Sequence, residues 1–193
     1  MGKAAAQAGV KRMTDSGEAN IAEQLSQATI LLADDSPFML ELMSAMLKAF
    51  GASRIERAAN GEQALQMIQD RHFDLVIADW QMQPMDGHAF LKRLRHELRG
   101  AAQRMPVVMC TAYTDRERVL KLRDAGANEV LTKPVSPAAV YEKLMRALFQ
   151  PRPFVVSGKY VGPDRRRRER PIDFPDRRRR NLARAAGGED MYL

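Results

Sequence analysis

Along the first 150 residues, short apolar runs alternate with longer stretches in which large apolar side chains recur every three or four positions. The runs are Thr29–Ala33, Leu75–Ala78, Pro106–Thr111 and Val130–Thr132, with a short, more polar strand at 53–58. Unbroken runs of this length suit strands buried on both faces of a parallel sheet. Helical spacing follows each of them: Phe38 to Phe50, Ala64 to Ile68, Phe90 to Leu98, a segment ending at Ala125, and residues 137–149. Ser36 and Pro37 open the first helix and Gly51 stops it. Asn60-Gly61 turns into the second, Gly100 ends the third, Thr114 with Glu117 makes a capping box for the fourth, and Gly126 closes that one. Five strand–helix pairs predict an α/β domain over residues 29–149. Its expected form is a doubly wound, five-stranded parallel sheet with helices on both faces.

The flanks read differently. Residues 1–28 are rich in Ala, Gln, Glu and Lys, which predicts a disordered or weakly helical, flexible leader. Pro151 and Pro153 end helical order, and residues 150–193 read as a disordered, arginine-rich tail without the apolar periodicity of a helix-turn-helix. The net charge of +7 is uneven. Residues 1–150 carry 19 Lys+Arg against 18 Asp+Glu, and residues 151–193 carry 12 against 6. The basic character therefore belongs to the tail, which should have an anionic partner. No apolar run is long enough to span a membrane and no secretion signal is present, so a cytoplasmic protein is expected. The one cysteine, Cys110, lies inside an apolar run and reads as a small buried hydrophobe.

Right-handed crossovers bring the carboxyl ends of all the parallel strands to one edge of the sheet. Asp34 and Asp35, Asp79, Thr111 and Lys133 each stand at such an end, on four different strands. Three carboxylates together repel one another unless a cation joins them, and an all-oxygen donor set with few protein groups suits Mg²⁺. Lys133 adds an ammonium and Thr111 a hydroxyl. A nucleophilic carboxylate, a metal, an ammonium and a positioned donor are the parts that phosphoryl transfer onto an aspartate needs.

Carried by Asp34-Asp35, Asp79 with Asp86-Gly87, Thr111-Ala112 and Lys133-Pro134, residues 29–149 resemble a CheY-like receiver domain of a two-component response regulator, a flavodoxin-like fold. The resemblance implies that Asp79 accepts a phosphoryl group from a histidine kinase or phosphotransfer protein, with Thr111 and Lys133 in support. It also implies that Asp34, Asp35, Asp79 and the backbone carbonyl of Gln81 hold Mg²⁺, and that the Lys133-Pro134 bond is cis. Such a domain signals and is not an enzyme beyond its own phosphorylation and dephosphorylation. Two departures stand out. Gln83 occupies the family's usual proline position with Pro84 next, and Val130 replaces the aromatic switch residue three positions before the lysine. Tyr113 reads as an exposed loop residue.

The tail contains a repeat: Pro163-Asp164-Arg165-Arg166-Arg167-Arg168 recurs as Pro175-Asp176-Arg177-Arg178-Arg179-Arg180. Tyr160 and Gly162 precede the first copy and Phe174 the second. One reading is a solvated basic tail; a second is a polyelectrolyte binder of nucleic acid or an acidic protein, against which four acidic residues interrupt 163–181. A third is a guanine nucleotide, because Arg pairs with the O6/N7 edge of guanine and Asp accepts from its N1–H and N2–H₂ edge. Two copies suit two guanines. On a receiver domain, this tail resembles the Cle group of CheY-like proteins, whose arginine-rich extension binds cyclic di-GMP and which act on the flagellar motor and surface attachment. That resemblance implies ligand contacts over 160–181 from Tyr160, Gly162, Asp164, Arg165 to Arg168, Asp176 and Arg177 to Arg180, and a flagellar motor switch or other protein target, with recruitment to the motor or cell pole.

Overall fold

The computed structural model describes residues 21–113, 115–158 and 160–166. Five parallel strands, β1 (Thr29–Ala33), β2 (Arg54–Ala58), β3 (Leu75–Asp79), β4 (Val107–Thr111) and β5 (Glu129–Thr132), stand in the order β2-β1-β3-β4-β5. Strand neighbours alternate between two cores. Leu31, Val76, Val107 and Met109 face one side, where they meet α3 (Gly61–Asp70), α4 (Gly87–His96) and α6 (Arg116–Asp124) through Leu65, Phe90, Leu91, Leu94 and Leu122. Ile30, Leu32, Leu75, Ile77 and Cys110 face the other, against α2 (Pro37–Ala49) and α7 (Pro137–Phe149) through Leu47, Val140 and Leu144. β3 and β4 are buried at every position, as central strands covered on both faces must be. No described helix is long and apolar enough to cross a membrane.

Ser36, Asn60, Asp86 and Ser136 each accept a hydrogen bond from the backbone N–H three residues on, which fixes where α2, α3, α4 and α7 begin. The expected capping box on α6 is not what opens it. Thr114 lies outside the described residues, and the cap is Asp115, whose carboxylate accepts from Arg118 N at 2.9 Å. Gly100 does not end the third helix either: α4 stops at His96, and Gly100, at φ +67°, begins the single-turn helix α5 (Gly100–Arg104). Both Gln83-Pro84 and Lys133-Pro134 are cis.

Both boundaries of the predicted domain move outward. Residues 21–27 form a helix, α1, that buries Leu25 completely against the α2–α7 core. Beyond α7, the segment read as disordered begins instead with an antiparallel hairpin, β6 (Phe154–Ser157) and β7 (Tyr160–Pro163), paired from Phe154–Pro163 to Ser157–Tyr160. The local signal is weak, Val155-Val156 and Tyr160-Val161 on either side of Ser157-Gly158, and the surrounding prolines and arginines obscure it. The remaining tail lies outside the described residues.

The hairpin docks through two arginines and two glycines. Arg95, fully buried on α4, donates Nε to Gly126 O (3.0 Å), Nη1 to Gln103 O (2.7 Å) and Met105 O (2.9 Å), and Nη2 to Asn128 Oδ1 (3.0 Å), while the ring of Phe154 lies 5.5 Å from its guanidinium carbon. Burial pulls its pKa down to about 10. Arg152 donates to Asp164 O, Ala127 O and Asn128 O, tying the start and end of the hairpin to the loop before β5. Gly126 sits at φ +103°, and a Cβ there would stand 2.7 Å from Val161 O; a Cβ at Gly162 would stand 2.8 Å from Gly126 Cα. Backbone meets backbone at that point, so no side chain fits.

Two predictions follow from this packing. Gly126→Ala should cost about 2 kcal/mol or more, from a left-handed φ plus the clash with the hairpin, whereas Gly158→Ala at the open turn should change stability by less than about 0.5 kcal/mol. Urea denaturation of the two variants compares them directly, and equal costs would contradict the docking. The second concerns Cys110, whose thiol burial pushes up to about 12. An unfolded thiol ionises near ~8.5, so above that pH the unfolded chain binds fewer protons and the native state loses stability. The stability gap between the parent and Cys110→Ala should therefore narrow as pH rises from 8 towards 10, and a constant gap would show the thiol to be accessible.

Candidate functional site

The strand ends bring Asp34, Asp35, Asp79, Thr111 and Lys133 together, as the topology requires. Asp34 follows β1, Asp79 closes β3, Thr111 closes β4 and Lys133 follows β5. Carboxylate oxygens of Asp34, Asp35 and Asp79 lie within 4.8 Å of one another. Asp34 and Asp79 are buried and Asp35 is exposed. Lys133 Nζ sits 2.9 Å from Asp79 Oδ1 and 3.4 Å from Asp34 Oδ2. Each remaining contact orients a side chain. Asp34 Oδ1 accepts from Ser36 N (2.9 Å), Asp35 Oδ2 accepts from Gln83 N (3.2 Å), and Thr111 Oγ1 accepts from Tyr113 N (3.0 Å). That bond uses one of the hydroxyl oxygen's two lone pairs and leaves the Thr111 proton to donate.

Burial and charge act unequally on the central pair. At Asp79, burial raises the pKa, helped by the Asp34 charge, and outweighs the lowering effect of Lys133. At Lys133, burial alone would lower the pKa, but the hydrogen bond and charge of Asp79, with Asp34 behind them, win and hold the ammonium above its ordinary value. Desolvation is therefore dearest at the aspartate. The pocket is a place where negative charge is compressed around one cation, and a second cation would relieve it. An oxygen-only set of three carboxylates fits Mg²⁺ in its chemistry.

The loop after β3 completes the rim. Gln81 follows the indole of Trp80, and its side-chain amide donates to Tyr113 Oη at 3.1 Å. Tyr113 is thus half-buried and held rather than free in a loop, with Arg118 stacked over its ring at 3.6 Å. α4 begins so close to the pocket that a Cβ on Gly87 would stand 2.3 Å from Asp79 O, which is why this position is glycine. Val130 is half-buried against the core on the α3–α4–α6 side.

Tail residues expected to contact a ligand fall into three groups. Tyr160 and Gly162 are buried in the fold: Tyr160 Oη donates to Pro163 O at 2.6 Å and Gly162 abuts Gly126. Asp164, Arg165 and Arg166 emerge at the surface. Asp164 Oδ1 accepts from Arg166 N (3.0 Å), and Arg165 stacks over Tyr160 (4.5 Å) while its Nη1 lies 3.2 Å from Asp124 Oδ1. Arg167, Arg168, Asp176 and Arg177 to Arg180 lie outside the described residues. Sequence reasoning missed Arg95, Arg152 and Asp124. Arg95 carried a signal, being a charge four residues after Leu91 on the apolar side of its helix.

Comparison with known proteins bears on the domain and stops short of the tail. The profile of the response regulator receiver domain matches residues 30–145. Chemotaxis protein CheY-3 of Vibrio cholerae is 34% identical over 115 residues, which cover 60% of this chain and 87% of that protein. Chemotaxis protein CheY of Pseudomonas aeruginosa is 30% identical over 115 residues, covering 60% and 91%. Among solved structures, the chemotaxis response regulator CheY4 of Vibrio cholerae superposes with a TM-score of 0.57 at 32% identity, covering 63% of this chain and 98% of that one. CheY of Borrelia burgdorferi, solved as a complex with CheX, BeF3 and Mg, does so with a TM-score of 0.57 at 26% identity, covering 61% and 87%. The receiver-domain match spans more than half of the chain, and the chain belongs to the response regulator receiver domain family.

Proposed function

We propose that this protein is a CheY-type response regulator that is phosphorylated on Asp79 and binds cyclic di-GMP through its arginine-rich tail to control a protein target, such as the flagellar motor switch. The observation that carries the first half is the 2.9 Å contact of Lys133 with a buried Asp79 whose neighbours are two more carboxylates. The Asp79 carboxylate forms the new P–O bond as the P–N bond of a phosphohistidine donor breaks. Lys133 shifts from the carboxylate to an oxygen of the incoming group, and the Thr111 hydroxyl donates to another. Asp34, Asp35, Asp79 and the Gln81 carbonyl would hold Mg²⁺, which when bound supplies charge neutralisation for the phosphoryl oxygens. The likeness to a receiver that takes up BeF3 and Mg supports this assignment.

The second half rests on the paired Pro-Asp-Arg repeats and on the presentation of the first by a folded hairpin. Asp164 accepts from the backbone N–H of Arg166, and Tyr160 and Asp124 hold the guanidinium of Arg165, so the first repeat leaves the domain with its backbone turn set and one guanidinium already oriented. Ordering costs fall when binding groups are held in place beforehand. A bidentate Arg–guanine contact contributes about 1–3 kcal/mol, so tight binding needs several at once and hence both repeats. Phosphorylation and nucleotide would then meet on one small protein in the cytoplasm that a motor or polar target can read.

Each half has its own test. Asp79→Asn removes the nucleophile and one charge, and labelling by a phosphodonor should be lost altogether; labelling that persists moves the acceptor elsewhere. For the tail, Asp164→Ala and Asp176→Ala should each lower the affinity for cyclic di-GMP, by roughly tenfold, although each makes the tail more positive. Calorimetric titration decides it. Unchanged or tighter binding in either variant means that the tail acts by charge alone, which is the polyelectrolyte reading.

A further inference from the structure

A cavity of about 550 Å³ lies outside the acidic pocket, in a cleft between α4 and α6. His88, Lys92 and His96 stand at i, i+4 and i+8 on α4 and line one wall in a row; Lys121 and Asp124 line the other. Trp80, the residue after the phosphoacceptor, also lines the cleft, with its indole 5.4 Å from the His88 ring in an edge-on arrangement. The volume lies within the range of sites that enclose small organic ligands.

Charge in the cleft leans positive. Lys92 is exposed and has no carboxylate partner among the described residues, and Lys121 has only the exposed i,i+4 contact with Glu117 at 2.9 Å. Of the two carboxylates present, Asp86 is engaged in capping α4, accepting from Ala89 N at 2.7 Å, where the helix end favours it. The other is Asp124, and the first arginine of the tail motif folds onto it: Arg165 Nη1 lies 3.2 Å from Asp124 Oδ1. An aspartate beside an arginine is the pair that reads both edges of guanine, and here the pair is assembled across the chain, one member from the receiver domain and one from the tail. Two lysines along the same cleft provide the compact charges that phosphate oxygens take.

We propose that the α4–α6 cleft is the receiver-domain half of the nucleotide site, with a guanine of cyclic di-GMP held at Asp124 and Arg165 and its phosphates over Lys92 and Lys121. The inference rests on the reading of the tail as a guanine-nucleotide binder and deepens it. The site is then composite, and the ligand bridges the tail to the element that begins one turn of chain from Asp79.

The test uses the full chain without Mg²⁺ and follows two signals, calorimetric affinity for cyclic di-GMP and emission of Trp80, the single tryptophan. In the parent, the ligand should change Trp80 emission with the same midpoint as the heat. Lys92→Gln with Lys121→Gln should weaken binding roughly tenfold, while Lys48→Gln on the opposite side of the sheet should not. Asp124→Asn should also weaken binding, although it makes the cleft more positive. Both lysines are exposed, and thermal denaturation verifies that the variants fold. If the parent binds with Trp80 unperturbed and the lysine variant and Asp124→Asn bind as tightly, the cleft is not the site and the tail alone holds the ligand. If the parent does not bind, the cleft proposal falls together with the reading beneath it.

Discussion

One ammonium reaching two buried carboxylates sets the terms for this molecule. Lys133 follows β5 and Asp79 ends β3, with β4 between them, so the two side chains and the contact between them must together bridge roughly two strand spacings, about 9–10 Å. A long, flexible stem does this, and the Lys133 N–H donated to Thr111 O at 2.7 Å fixes where that stem starts. Remove the ammonium and two buried negative charges are left facing each other, a cost of several kcal/mol. The sheet order, the burial of β3 and β4, and the close seat of Gly87 against Asp79 all serve to keep that contact in register.

A second buried cation works the other way. Among the described residues Arg95 has no carboxylate partner and is satisfied by carbonyl oxygens and the Asn128 amide, and no buried side-chain polar atom there is left unpartnered. Its role is architectural: it gathers the end of α5, the α6–β5 turn and the ring of Phe154 around one planar group. Lys133 manages charge for chemistry, and Arg95 uses charge to fasten backbone. The same contrast between a compact ammonium and a planar, multiply donating guanidinium decides which residue each place requires.

The sheet and the pocket were legible because both depend on strong, local signals. Apolar runs such as Leu75–Ala78 fix buried strands, and carboxylates or lysine immediately after such runs fix what meets at the sheet edge. Even the cap residue Ser36 was readable from identity and position. What escaped depends on long-range contact. Asp115 rather than its neighbour caps α6, Gly100 starts a turn because its φ is positive, and the 154–163 hairpin is stable only because Arg95, Arg152 and Gly126 receive it. Arg95 and Gly126 are far from it in sequence, and a four-residue strand carries too little pattern to announce itself.

The hairpin also changes what counts as the domain. A fragment cut after Phe149, where the last long helix ends, looks like a natural stopping place, and the family match ends nearby at residue 145. Such a fragment would strip the aromatic cover from Arg95, withdraw the Arg152 donors from the carbonyls of Ala127 and Asn128, and leave the bare backbone of Gly126 facing water. The smallest piece that keeps its own interior closed runs through Pro163 and the Asp164 N–H that bonds Pro153. The receiver and the root of its tail are one folding unit, and excision at the helix end would produce a different, looser protein rather than a smaller version of this one.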